Sequence, residues 1–170
     1  MEIVKEKDTV KILYAIPIIA AAFIVKDHRK TPYDSHFDSA GVRWNVDSDL
    51  LRALARKENA SFNPRAINKE AKPDDASDDS IGIMQINMAI ARAYGIERDM
   101  LFDPKTNINA GARLMAENRV TLGKNYFLDT WIAAFNAGAT KIINQGIFNW
   151  QYVAEVKYHY TAYKVGKQIA

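Results

Sequence analysis

The residue with the clearest chemical potential is Glu58. Leu50, Leu54 and Glu58 fall at i, i+4 and i+8, with Leu51 and Ala55 flanking the same stripe. Glu58 therefore extends the apolar face of a helix, away from the face carrying Arg52, Arg56 and Lys57. A carboxylate there is partly desolvated, which raises its pKa. It also lies in the last helical turn, where the negative end of the helix dipole further disfavours ionisation. A glutamic acid kept protonated near neutral pH is what general-acid catalysis needs. Taken alone, such a residue better fits a side chain that reaches solvent or pairs with Arg92 or Arg113.

Two further clusters could serve that acid. Ser80-Ile81-Gly82-Ile83-Met84-Gln85-Ile86-Asn87 joins a small turn to a helix start, with backbone near Gly82 open to close approach. Gln85 offers an amide donor and acceptor, and Met84 offers soft apolar surface beside it. Ala134-Phe135-Asn136-Ala137-Gly138 sets an aromatic and a carboxamide at a helix end. Each piece also has a plain structural reading, with Met84 and Phe135 as core and Gln85 and Asn136 as caps. The acidic run Asp74-Asp75-Ala76-Ser77-Asp78-Asp79 lacks the alternating carboxylates and central glycine of a calcium loop and reads as a solvated surface loop. A second carboxylate from this run would turn an acid catalyst into a two-carboxylate hydrolase.

The elements that must position these residues read as helices. Asp47 or Ser48 caps the helix bearing Glu58, and Asn63-Pro64 marks its end. A second helix is expected from Ile81 to about Ala93, stopped at Gly95. A third opens at Asp103-Pro104 and ends near Gly123. Trp131 to Ala137 belongs to a fourth, broken at Gly138, and Trp150 to Tyr163 forms the last. No useful length alternates with period two outside the N-terminal region, so the class is all-α.

Composition narrows the chemistry. The 170 residues are 48% hydrophobic and 25% charged, which excludes wholesale disorder and suits one compact domain with a tail. With no Cys there is no disulfide, thiolate metal site or cysteine nucleophile, and His28, His36 and His159 lack metal-ligand spacing. The net charge of +3 favours an anionic surface weakly, and no basic run marks a nucleic-acid partner. Residues 12–25 carry no charge and are flanked by Lys5, Lys7, Lys11, Lys26, Arg29 and Lys30. As a helix this segment is ~21 Å long, short of the roughly 30 Å hydrocarbon core. It fits a signal peptide, with Ala20-Ala21-Ala22 as a cleavage patch, or a short membrane anchor. The expected division is 1–30 as signal or anchor, 31–42 as a polar linker and 43–170 as the domain.

In this order the pieces resemble a known family. From about Trp44 to Tyr163 the chain resembles the lysozyme-like domain of soluble lytic transglycosylases of the Slt, or goose-type, architecture. The carriers are Glu58 followed by Phe62-Asn63-Pro64, then Gly82-Ile83-Met84-Gln85 preceded by Ser80. Asp103-Pro104 with Asn107-Ile108 and Gly111, Ala134-Phe135-Asn136-Ala137-Gly138, and Tyr152-Val153-Ala154-Glu155-Val156 complete the match. Three departures stand out. Asn59 replaces the serine usual after the catalytic glutamate, and one extra residue separates Glu58 from Phe62. Phe135 stands where the family has a tyrosine whose hydroxyl can reach the acid, so that donor is expected to be lost.

The resemblance implies cleavage of the β-1,4 bond between N-acetylmuramic acid and N-acetylglucosamine in peptidoglycan. Glu58 would be the acid, then the base that closes a 1,6-anhydro ring. Ser80, Met84, Gln85, Phe135 and Asn136 would line the sugar site. No cofactor or metal is implied. The expected partners are glycan strands and, through residues 12–25, a membrane. The expected location is the cell envelope. The setting stays open among a phage particle, a secretion or conjugation apparatus and a bacterial envelope enzyme. A muramidase and a non-catalytic glycan-binding subunit remain the alternative readings.

Overall fold

The computed structural model describes residues 31–69, 79–123, 126–146 and 148–169, with side chains as far as 166. The apolar segment 12–25 and the acids Asp74, Asp75 and Asp78 lie outside the described residues. Seven helices and one small sheet make up the described chain. They are α1 (Asp34–Trp44), α2 (Ser48–Glu58), α3 (Met88–Ala93), α4 (Pro104–Leu122), α5 (Leu128–Ala137), α6 (Ala139–Gln145) and α7 (Trp150–Ile169). A 3-10 turn spans Arg98–Phe102 ahead of α4. No helix among the described residues is long and apolar enough to cross a membrane.

Helix α2 follows its sequence signals. Asp47 accepts from the Asp49 N–H as N-cap, and Leu50, Leu51, Leu54 and Ala55 are buried. Its most extensive packing is against α7, which supplies Tyr152, Val153 and Val156 to the same core. The expected third helix is α4, capped by Asp103 and ended by Gly123.

Three expectations on local structure need correction. The polar segment expected as a linker over 31–42 contains α1, whose Phe37, Ala40 and Gly41 face the core at i, i+3 and i+4. Its polar residues misled because Asp34 and Asp38 are the partners of Arg52 on α2, at 2.9 and 2.8 Å. Arg52 also meets the buried Asp49 at 3.0 Å, so one guanidinium clamps α1 onto α2. Gly41 permits that close approach, since a Cβ there would sit 2.8 Å from the Val46 carbonyl oxygen.

The second correction concerns residues 81–87, expected as the start of a helix. They form strand, turn and strand, and α3 begins only at Met88. Antiparallel strands β1 (Ile67–Asn68), β2 (Ser80–Ile81) and β3 (Ile86–Asn87) pair in the order β1-β2-β3. Left-handed backbone at Gly82 (φ 81°) and Gln85 (φ 47°) cannot belong to a right-handed helix. The buried Asn107 holds this turn. Its Oδ1 accepts from the Met84 N–H at 2.7 Å, and its Nδ2 donates to the Ile81 and Leu101 carbonyls at 2.8 and 3.1 Å. A Cβ on Gly82 would come within 2.4 Å of Asn107 Nδ2, so the tight turn requires glycine. The all-α reading thus stands for the scaffold, with a six-residue sheet added at its side.

The last helix, finally, runs on past Tyr163 to Ile169.

Candidate active site

Glu58 is the final residue of α2, partly shielded by its surroundings. Its Oε1 accepts a 2.5 Å hydrogen bond from the buried Tyr152 hydroxyl on α7, 94 positions away in sequence. Burial pushes the Glu58 carboxyl above its ordinary value, while the Tyr152 hydrogen bond and the Lys57 charge oppose that rise without cancelling it. Burial, then the Glu58 charge and hydrogen bond, drive the Tyr152 phenol well above its ordinary value, so it stays protonated as a donor. Lys57 meets Glu155 at 2.5 Å and lies 5.8 Å from the Tyr152 ring centroid, tying the end of α2 to α7.

The chain after Glu58 leaves the helix through a turn. The Phe62 N–H donates to the Asn59 carbonyl at 2.9 Å, and Phe62 adopts left-handed backbone with φ 51°. Asn59 closes this turn. Its Nδ2 donates to the carbonyls of Asn63 and Gly82 at 2.7 and 3.3 Å. The Ser61 hydroxyl donates to Asn59 Oδ1 at 2.8 Å. Asn59 therefore connects the end of α2 to the β2–β3 turn.

Glu58 opens into a cleft of about 470 Å³. Of the residues expected from sequence, Ser80, Gln85, Phe135 and Asn136 line it with Glu58. They come from β2, the β2–β3 turn and the end of α5, brought together by the core. Gln85 is oriented by its own turn, its Nε2 donating to the Gly82 carbonyl at 2.7 Å. Its Oε1 and second N–H are the polar capacity left for a ligand.

Met84 is placed otherwise. It is fully buried, does not line the cleft, and packs over Gly111, where an added Cβ would lie 2.7 Å from Met84 Cε. Its contribution is to fix the height of the β2–β3 turn on α4.

Several cleft residues escaped the sequence reading. Asn68, Asn87 and Lys141 add polar groups to the walls. More consequential is Tyr152, which supplies the hydroxyl whose loss was inferred from Phe135. Its place in the Tyr152…Val156 signature was a usable signal, but helical periodicity marked it only as a core residue. Glu58 is the sole carboxylate among the described residues lining the cleft. Asp79, the described member of the acidic run, is buried and bound to Arg98 at 2.9 Å, outside that lining. Arg113, a conceivable partner of Glu58, pairs with Glu117 at 2.8 Å instead. Among the described residues no cluster of three His, Asp or Glu could hold a metal ion.

Comparison with known proteins adds the remaining findings. The family model described as the transglycosylase SLT domain matches residues 35–149. Protein IpgF of Shigella flexneri is 34% identical over 108 residues, which cover 61% of this chain and 66% of that protein. Protein IpgF of Shigella sonnei shows the same identity and coverage, 34% over 108 residues. The chain thus spans 66%, just under two thirds, of the length of these relatives.

Proposed function

The chain belongs to the transglycosylase SLT domain family, and from that membership we propose that it is a peptidoglycan lytic transglycosylase working in the cell envelope. In this reading it cleaves the β-1,4 bond after N-acetylmuramic acid and leaves a 1,6-anhydro end. The observation that carries it is Glu58: the one carboxyl among the described residues lining the cleft, protonated more readily than usual, with a phenolic donor on its Oε1.

Protonated Glu58 gives its proton to the glycosidic oxygen as the bond to C1 breaks and positive charge develops on the sugar. The substrate's own N-acetyl group stabilises that charge, replacing the second carboxylate that two-carboxylate glycosidases place about 5–9.5 Å from the acid. Glu58, now ionised, takes the proton of the muramoyl C6 hydroxyl, and that oxygen closes on C1. The acid must therefore lose and regain one proton per turnover. Burial favours the protonated state, and the Tyr152 hydroxyl limits the cost of the ionised one, so both states remain accessible. Gln85 and Asn136 offer amides to the sugars, Phe135 shields the acid from water, and Ser80 lines the same cleft.

The test is mass spectrometry of muropeptides released from purified sacculi. Anhydro-muramoyl ends are expected. Reducing ends without anhydro products would show hydrolysis and overturn the lyase assignment. Sacculus binding without any release would leave a glycan-binding subunit in its place.

A further inference from the structure

A second cavity, of about 780 Å³, is larger than the Glu58 cleft and shares no lining residue with it. It lies between α1, the segment following α3 and the first half of α4. Its walls hold Arg43, Lys105, Arg113 and His36 against one carboxylate, Asp103. Asp103 is committed locally, accepting from the Thr106 N–H and hydroxyl at 2.8 and 2.7 Å. Neither Arg43 nor Lys105 has a carboxylate partner among the described residues. Arg113 is held through Nε to Glu117, and its terminal Nη groups have no partner among the described residues.

The aromatic walls are pinned as firmly. Trp44 Nε1 donates to Asn109 Oδ1 at 2.9 Å, and the Tyr94 hydroxyl donates to Glu117 Oε2 at 2.6 Å. The Arg113 guanidinium lies 3.8 Å from the Tyr94 ring centroid and 5.9 Å from that of Trp44. Arg43 lies 5.7 Å from the Trp44 centroid. Guanidinium groups stacked on fixed rings lose little freedom on accepting a carboxylate, which favours bidentate pairing.

The position of the cavity narrows the choice of ligand. Helix α3 gives Ile90 to the Glu58 cleft, and Tyr94 beyond its end goes to the second cavity. Helix α4 gives Leu114 to the first and Ala110 with Arg113 to the second. Along this shared seam Arg113 and Leu114 are neighbours on α4, while Lys105 lies nine positions from Leu114, ~14 Å of axial rise, a span within reach of an extended branch several residues long. A polymer lying at Glu58 can therefore present an anionic branch to the second cavity. We propose that this cavity binds the carboxylate-bearing peptide stem of the peptidoglycan strand held at Glu58. The ligand assignment rests on the lytic transglycosylase reading, and the test separates the two.

The Glu58→Gln protein allows binding to be measured without turnover, by cosedimentation with sacculi that are intact or stripped of peptides by an amidase. Roughly five- to tenfold tighter binding to intact walls is expected, the scale of one or two solvent-exposed ion pairs. Adding Arg43→Glu and Lys105→Glu brings that ratio to about one. Reversing Lys69 and Lys157, exposed and outside the cavity, leaves the ratio in place. Equal binding to intact and stripped walls before any reversal, or an equal loss in both double variants, overturns the proposal. A chain that shows the ratio yet releases no anhydro ends supports the peptide site while sinking the lyase assignment alone.

Discussion

Arg52 and Glu58 are carried by the same helix and are treated in opposite ways. Arg52 is almost wholly buried and surrounded by three carboxylates, Asp34, Asp38 and Asp49, with the Ser48 hydroxyl and the Asp34 carbonyl as further acceptors. Its charge is fully answered. Glu58, at the helix end, has one neutral hydroxyl on Oε1, and Lys57 beside it is already paired with Glu155. Its charge is deliberately under-answered, and its protonation state can change. The first arrangement fixes α1 to α2. The second leaves a proton available at a cleft wall. Polar burial alone therefore does not mark a functional residue; what separates the two is how completely the ionised form is compensated.

The comparison can be broken most severely at the acid. Glu58→Gln removes the transferable proton and is expected to lower muropeptide release about 10²–10⁴-fold, the usual scale of general acid–base catalysis, in a protein with unchanged circular dichroism. Wild-type rates in this variant would remove Glu58 from the mechanism. Arg52→Met attacks the opposite pole. It leaves the buried Asp49 without its guanidinium and is expected to cost about 3–5 kcal/mol in denaturant unfolding. Activity per folded molecule should persist, because Arg52 does not line the cleft.

Tyr152→Phe sharpens the contrast by leaving the ionised acid even less compensated. Turnover is expected to fall about tenfold, for loss of a hydrogen bond to a charged group worth roughly 1.5 kcal/mol. The alkaline limb of the pH–rate profile should move upward, because the Tyr152 bond lowers the Glu58 pKa and its removal raises it. An unmoved limb would mean that the hydroxyl serves packing only.

The smallest expected effect is on stability against pH. The folded pKa of Glu58 lies above the ordinary value of 4.5, so the folded state holds this proton more tightly than the unfolded chain does. The associated stability is complete below 4.5 and is lost as pH rises through the folded value. Glu58→Gln, which carries no charge at any pH, should therefore gain on wild type as pH rises above 4.5 in thermal melts. A difference that stays constant across that range would show that ionisation of Glu58 has no cost in the fold.

Much of the scaffold was readable because periodicity and punctuation agreed. Asp47, Asp103 and Gly123 mark the helix ends where caps require them, and Leu50, Leu51, Leu54 and Ala55 mark a buried face. Helix α1 was not readable, since two of its polar residues, Asp34 and Asp38, face a guanidinium on another helix. The 81–87 segment was misread for a related reason. Its apolar residues suit a helix locally, and Asn107, reaching in from α4, holds the left-handed turn that prevents one.

Sequence alone determined the helical class and the apolar stripe that carries Glu58, because these follow from spacing within single elements; Ser80, Gln85, Phe135 and Asn136, which line the cleft with it, were reached through the family resemblance. Tertiary structure decided the rest. It set Tyr152 on Glu58 across 94 positions, sent Met84 into the core beneath the cleft, and assembled a second, cationic cavity from three separate segments. Helical periodicity states which face of an element turns inward. It does not state what that face meets, because the partner depends on how whole helices pack, and here the packing of α2 against α7 delivers the hydroxyl to the acid.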